Sequence, residues 1–364
     1  MIAIIGAGPA GSYTAYLLAK QGYNVTIYEE HAEPGKPVQC TGILTQDIFK
    51  YINVPDECIV NRMKAVQVFA PNSAVFETAS TDIIVNRTLF DNFLLKKALE
   101  SGAKLETHAK CISFQDNMLS IEKNNTIHKV PAEILIGADG PNSKVSAILC
   151  NKKIQCYVGA QATVKGKFQQ NTYQVYLGSI CPEFFAWVVP ESAKVARIGL
   201  AAKQTPHVNF KNLLLQLGYA EKDIIEHKGG LIPVYNPHQC IHKDNIYLIG
   251  DAATTIKSST GGGIIPSIEA AEILVHCIKN KKNFNKELKR KKLWLHLYLR
   301  HFFDKFSDND YNHLIAQLNK SNIKHILETY TRDNLMQLLF HVIIKHPFFV
   351  FSNIRHLPKL FKAR

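Results

Sequence analysis

The eight cysteines of this 364-residue chain never form a CxxC pair and make no compact even framework. That spacing excludes a disulfide scaffold and a cysteine-built zinc site, and it implies a reducing compartment. No metal site is expected. No basic leader precedes the apolar opening, because Met1 runs directly into IAII and then GAGPAG, unlike a secretory signal. No apolar run approaches the roughly 20 residues that span a bilayer. The most apolar late stretch, MQLLFHVIIKHPFFVF, is interrupted by His341, Lys345, His346 and Pro347. The expected location is the cytoplasm, with peripheral attachment to the inner face of the membrane. Acidic residues are scarce in one region only. Residues 1–278 carry 25 Lys+Arg against 24 Asp+Glu, net +1, whereas residues 279–364 carry 18 against 6, net +12. A merely solvated surface mixes signs, so the one-sided charge points to an anionic partner, a membrane surface first. The tail lacks an interleaved nucleic-acid-binding module, and no nucleic acid is expected.

What is present is a folded chain, 46% hydrophobic and 10% aromatic, long enough for two joined domains. The opening IAIIGAGPAGSYTAYLLAKQGYNVTIYEE reads as strand, glycine turn, helix and second strand. In such a unit Gly6 permits the tight turn, Gly8 lets a pyrophosphate approach the backbone, and Gly11 allows close helix–strand packing. Ala10 lies in the same loop, where the helix N-terminus favours anions. The second strand ends in Glu29 and Glu30, and Glu29 is placed to accept hydrogen bonds from an adenosine ribose. Two further strands end in acidic residues: EILIGADGPNSKV reaches Asp139 and NIYLIGDAATTIKSSTGGGI reaches Asp251. Ligands of open α/β sheets bind at such carboxyl ends. Gly261, Gly262 and Gly263 then lead at Ile264 into another helix, a second set of N–H groups for an anion. Residues 65–80 and 157–202 differ in texture, alternating apolar and polar positions with Pro and Gly breaks, which predicts antiparallel strands interrupting the nucleotide-binding domain. From about residue 283 the pattern turns helical, with Leu288, Leu295, Leu299, Phe302 and Phe306 on one stripe and Leu293, Trp294 and Tyr298 as exposed apolar groups among lysines.

GAGPAG, Arg87 within VNRTLFDNFLLKKALESGA, GADGPNS and LIGDAA, in that order, resemble the FAD-dependent oxidoreductases built like aromatic hydroxylases. Within that group the chain resembles most the geranylgeranyl reductase family, which saturates prenyl chains. PVQCTGIL matches the family's cysteine loop, and YLGSICPEFFAWVVPESAKVARIGLA its substrate-domain signature. There Trp187, Pro190 and Gly199 are kept, while Phe185, Val189, Glu191 and Ala201 stand where the signature has Tyr, Phe, Lys and Gly. The resemblance implies an α/β fold: an FAD-binding Rossmann-like domain of the aromatic-hydroxylase type (1–64, 84–155 and 235–282), interrupted by an antiparallel-sheet substrate domain (65–83 and 156–234), with a C-terminal helical basic region (283–364).

By the same resemblance Gly6, Gly8, Ala10 and Gly11 take the FAD pyrophosphate, and Glu29, with Glu30 beside it, the adenosine ribose. Arg87 and Asp139 line the cofactor, Asp251 lies near the ribityl chain, and Gly261–Gly263 with Ile264 near the isoalloxazine edge. Trp187, Tyr176 and Phe185 face substrate, and Cys40 stands close to the flavin over the substrate double bond. Chemistry supports that placement of Cys40. Saturating an isolated alkene takes a hydride on one carbon and a proton on the other, with no carbonyl to spread charge, so the acid must be close and oriented. A thiol of ordinary pKa about 8.5 stays mostly protonated at neutral pH and tolerates an apolar pocket. No second GxGxxG is present, so the electron donor is NAD(P)H without a Rossmann site of its own or reduced ferredoxin, the latter also a partner for the basic tail. Two alternatives share the fold: an FAD-dependent monooxygenase, for which a cysteine loop has no evident use, and a non-redox prenyl-lipid carrier, which would not need the phosphate-binding glycines.

Overall fold

The computed structural model describes residues 1–150 and 153–347. The chain divides into two units, each assembled from three segments: Met1–Val38, Asn86–Cys156 and Pro233–Trp294 in the first, and Gln39–Val85, Tyr157–Ile232 and the chain from Leu295 in the second.

The first unit is built on a six-stranded sheet in the order 242–243, 246–248, 134–137, 2–5, 25–28, 104–106, parallel except at the 242–243 edge. Parallel strands covered on both faces read as continuous apolar runs, and Ile2–Ile5 and Val25–Tyr28 are buried at every position. Alternation sorts their side chains. Ile2 and Ile4 join Leu18, Leu95 and Leu274 from the helices Pro9–Lys20, Arg87–Glu100 and Ile264–Asn280. Ala3 and Ile5 join Leu119 and Ile121 of a three-stranded antiparallel meander and Val145 of the helix Lys144–Cys150. Gly6, Glu29 and Asp139 lie just beyond the carboxyl ends of the central strands, after Ile5, Tyr28 and Gly137.

The second unit carries a seven-stranded sheet in the order 224–233, 156–165, 195–202, 186–190, 172–176, 65–69, 75–79. Its central pairs run antiparallel, and 172–176 runs parallel to 65–69. Residues 39–64, expected with the nucleotide-binding domain, group with this unit. Ile43–Leu44 and Ile59–Arg62 both pair with Ile83–Val85 in a small sheet, and those long-range bonds outweigh proximity in sequence.

Helices Trp294–Phe303, Asp308–Lys320, Lys324–Thr329 and Leu335–Lys345 follow among the described residues. They are tied down by polar contacts as much as by apolar ones. Thr331 Oγ1 donates to Asp47 at 2.8 Å, and Arg332 and Tyr173 both donate to Asp82, at 2.7 and 3.0 Å. The apolar stripe expected along the first of these helices is only partly buried. Its deepest residues are His296 and Arg300, because the Arg300 guanidinium lies over the Phe184 ring at 5.3 Å and pairs with Asp304 at 2.7 Å. Leu293, expected on the surface, is buried, whereas Trp294 and Tyr298 are exposed. Among the described residues no helix is long and apolar enough to cross a membrane. The expected interfacial segment HPFFVFSNIRHLPKLFKAR lies, from residue 348 on, outside the described residues.

Candidate functional site

The glycine loop of the first unit shows which glycines the protein itself requires. Gly6 has φ +100°, and a Cβ there would sit 2.4 Å from the Ala138 oxygen. A Cβ on Gly11 would sit 2.0 Å from the Gly6 oxygen. At Gly8 a Cβ would meet no protein atom within 4 Å. Packing therefore dictates two of the three, and the space above Gly8 is open to a ligand. The helix that starts at Pro9 has Gly8 as its N-cap and no side-chain cap, so Ala10 and Gly11 open an uncapped N-terminus. Glu29 turns into this loop. Its Oε2 accepts the Ala7 N–H at 2.8 Å and its Oε1 the His31 N–H at 3.1 Å. Glu29 is buried and Glu30 exposed, so only the first of the two acids reaches the cradle. These groups fit a dinucleotide: open backbone for a pyrophosphate, an uncapped helix for its charge, and a carboxylate for a ribose.

The second glycine segment has the same character. Gly261 has φ +70°, the helix Ile264–Asn280 is N-capped by Gly263 without a side-chain bond, and Asp251 Oδ1 lies 3.1 Å from where a Cβ on Gly263 would be. Burial pushes the Asp251 carboxyl up to about 6, against the pull of the Arg87 charge. Arg87 itself is clamped to Asp91 by two bonds of 2.9 Å within its helix. Asp139 is engaged locally: it accepts from Ser143 Oγ at 2.6 Å and Val145 N at 3.1 Å, holding the start of the helix Lys144–Cys150.

In the second unit the cysteine loop lies against the antiparallel sheet. Cys40 is half-buried, and its sulfur accepts the Gly42 N–H at 3.3 Å. Gly42 has φ +77°, and a Cβ there would press on the Val85 oxygen at 2.7 Å and the Arg197 guanidinium at 3.0 Å. Arg197 is buried. Its Nη1 donates to the Thr41 and Val85 carbonyls and its Nε to Glu191 at 2.6 Å. Thr41 Oγ1 donates to Gln161 Oε1 at 2.6 Å, and the same oxygen accepts Trp187 Nε1 at 3.0 Å. Trp187 lies flat across Gly199, its cross-strand partner, where a Cβ would come within 2.6 Å of the indole. Phe185 meets Trp187 edge-on at 6.0 Å and stacks on Phe184 at 4.3 Å.

Trp187 and Phe185 are thus brought to the cysteine loop, and Tyr176 is not. Tyr176 pairs with Ala186, the neighbour of Trp187, so the two side chains project from opposite faces. Tyr176 stacks on Phe69 at 4.7 Å and lines a separate cavity of about 160 Å³ with Gln174, Val188 and Tyr219, and burial pushes its hydroxyl up to about 12. Thr41, Gly42, Gln161 and Arg197 were not singled out from the sequence. The one signal was a glutamine within a strand of Ala and Val, which says nothing of its partners.

Residues 4–41 match the family model of the NAD(P)-binding Rossmann-like domain. The chain is 27% identical to digeranylgeranylglycerophospholipid reductase 3 of Methanosphaera stadtmanae, over 88% of this chain and 91% of that protein. It is 26% identical to the digeranylgeranylglycerophospholipid reductase of Methanothrix thermoacetophila, over 88% and 92%. Among solved structures, a geranylgeranyl bacteriochlorophyll reductase-like protein from Thermoplasma acidophilum superposes with a TM-score of 0.84 at 21% identity, over 99% of this chain and 98% of that one. A mutant of the halogenase PltM, solved in complex with FAD, gives 0.68 at 17%, over 100% and 92%. Fold, dinucleotide cradle and reductase relatives together define an FAD-dependent oxidoreductase. Its relatives are alike over nearly the whole chain. The curated relatives it resembles over that length are digeranylgeranylglycerophospholipid reductases, and the solved relative of like fold is a geranylgeranyl bacteriochlorophyll reductase-like protein.

Proposed function

We propose that the protein saturates carbon–carbon double bonds in the geranylgeranyl or other isoprenoid chains of membrane lipids or their precursors. The observation that carries this reading is likeness to digeranylgeranylglycerophospholipid reductases across about nine-tenths of the chain. Gly6, Gly8, Ala10 and Gly11 hold the FAD pyrophosphate and Glu29 the adenosine ribose, Arg87 faces the phosphate side, Asp251 the ribityl chain, and Gly261–Gly263 with Ile264 the ring edge. Reduced and bound, FAD supplies the hydride. Cys40 gives its proton to the other alkene carbon, and the Gly42 N–H bonded to the sulfur stabilises the thiolate left behind. Trp187 and Phe185 form the apolar wall that keeps water from competing for the proton. The electrons come from NAD(P)H or reduced ferredoxin, and the partner surface is an anionic membrane, in keeping with the net +12 of residues 279–364.

Mass spectrometry of prenyl lipids incubated with dithionite-reduced enzyme tests the activity. Products heavier by steps of about 2 Da are expected, one per added hydrogen pair. Unchanged lipid mass with fully reduced flavin overturns the reading. Cys40→Ala is expected to keep its flavin and lose about 10²-fold in turnover, the usual scale for a lost general acid.

A further inference from the structure

Gln161 lies in the strand Cys156–Lys165 and is only 6% exposed, between Ala160 and Ala162. Its one oxygen accepts two hydrogen bonds from different parts of the unit: Thr41 Oγ1 at 2.6 Å, next to Cys40, and Trp187 Nε1 at 3.0 Å. An indole N–H only donates, which fixes the amide with its oxygen toward Trp187. The loop is held at three further points. Arg197 takes the Thr41 carbonyl, Gly42 is packed against Val85, and the Gln39 side chain would be 2.8 Å from a Cβ on Gly230. Cys40 is the residue between these anchors, half-buried, with the Gly42 N–H on its sulfur.

We infer that Gln161 is a positioning residue: it locks the cysteine loop onto Trp187, so that the thiol and the aromatic wall present one fixed geometry to the substrate. The inference rests on the reading of Cys40 as proton donor. A displacement of about 1 Å at a reacting group costs on the order of 10² in rate, and a loop with its 39–42 backbone otherwise free of regular structure needs such ties. Glutamine suits the place because a carbonyl oxygen has two acceptor directions. Leucine of similar size would strand a hydroxyl and an indole N–H, whereas glutamate keeps the acceptors.

The full-length flavoprotein is treated with iodoacetamide, and alkylation of the Cys40 peptide is followed by mass spectrometry in Gln161→Leu, Gln161→Glu and Thr41→Val. Thr41→Val spares the Trp187 bond and so guards against loss of folding in Gln161→Leu. Expected is about a tenfold faster modification of Cys40 in Gln161→Leu and Thr41→Val, the signature of a loop that opens more often. Buried Cys58 and Cys111 should stay protected, and Gln161→Glu should behave as wild type. In turnover, Gln161→Leu should lose about 10² in kcat with KM within about twofold, and Gln161→Glu should restore it. Wild-type alkylation of Cys40 in both Gln161→Leu and Thr41→Val overturns the inference. Full turnover in Cys40→Ala instead overturns the proton-donor reading, and the alkylation rates still judge the tether.

Discussion

Glu191 accepts from the buried Arg197, which in turn holds the Thr41 carbonyl. A lysine at 191 would place two cations together inside the unit and disturb the seating of the cysteine loop. The glycines of the nucleotide cradle separate by the same kind of local accounting. Gly8→Val adds a side chain where no protein atom lies within 4 Å, so the variant should purify folded but colourless. Gly11→Val meets the Gly6 oxygen and should fail to fold. Absorbance near the flavin bands and circular dichroism distinguish the two, and full flavin occupancy in folded Gly8→Val refutes the cradle assignment. Asp251 gives a pH prediction. Burial raises its carboxyl to about 6, so the empty protein holds it neutral below that pH, and it loses stability as pH rises from the ordinary carboxylate range through 6. Ribityl hydroxyls bond more strongly to the ionised form. FAD should therefore bind apo-protein more tightly at pH 7 than at pH 5, by up to about tenfold per unit below the pKa. Asp251→Asn should flatten that slope, and titration by flavin fluorescence reads it; an equal slope in the variant removes Asp251 from the site.

At the element scale, the helix Leu335–Lys345 exposes several apolar side chains. Leu335 and Val342 face inward, while Met336, Phe340, Ile343 and Ile344 are 39, 58, 55 and 60% exposed. Those four positions fall at i, i+4, i+7 and i+8, one face of a helix. From Leu335 to the end the sequence holds five Lys and Arg and no Asp or Glu. An exposed apolar helix face in a segment whose sequence carries only cationic charge is what an anionic lipid interface accepts, each cation contributing about 1 kcal/mol near the surface. Flotation with anionic vesicles should retain the wild-type protein, neutral vesicles should not, and salt should release it. Phe340→Asp with Ile344→Asp should lower binding about tenfold or more with flavin content unchanged. Retention of the double variant on anionic vesicles would show that this face plays no part.

At the scale of the whole molecule, most of the nucleotide-binding unit was legible in the chain because its signals are local. Strand, glycine turn, helix, strand and Glu29 all fall within Ile2–Glu29, and the expected order of acidic strand ends places Asp139 and Asp251 in one unit. The boundaries were less legible. Residues 39–64 look like a continuation of the opening unit, but their strands pair with Ile83–Val85. The stripe expected from residue 288 onward missed Arg300, since periodicity cannot foresee a buried guanidinium resting on Phe184. By itself, then, the sequence determined the glycine cradle, its acidic partner, the alternating sheet and the basic tail, because each depends on residues a few positions apart and on the fixed periods of helix and strand. Only the tertiary structure decided what surrounds Cys40. Thr41 and Gln161 are 120 residues apart, and Val85 and Arg197 are 112 apart. Tyr176 and Trp187 part company for an equally non-local reason, the register of two strands, which sends neighbouring positions to opposite faces of one sheet.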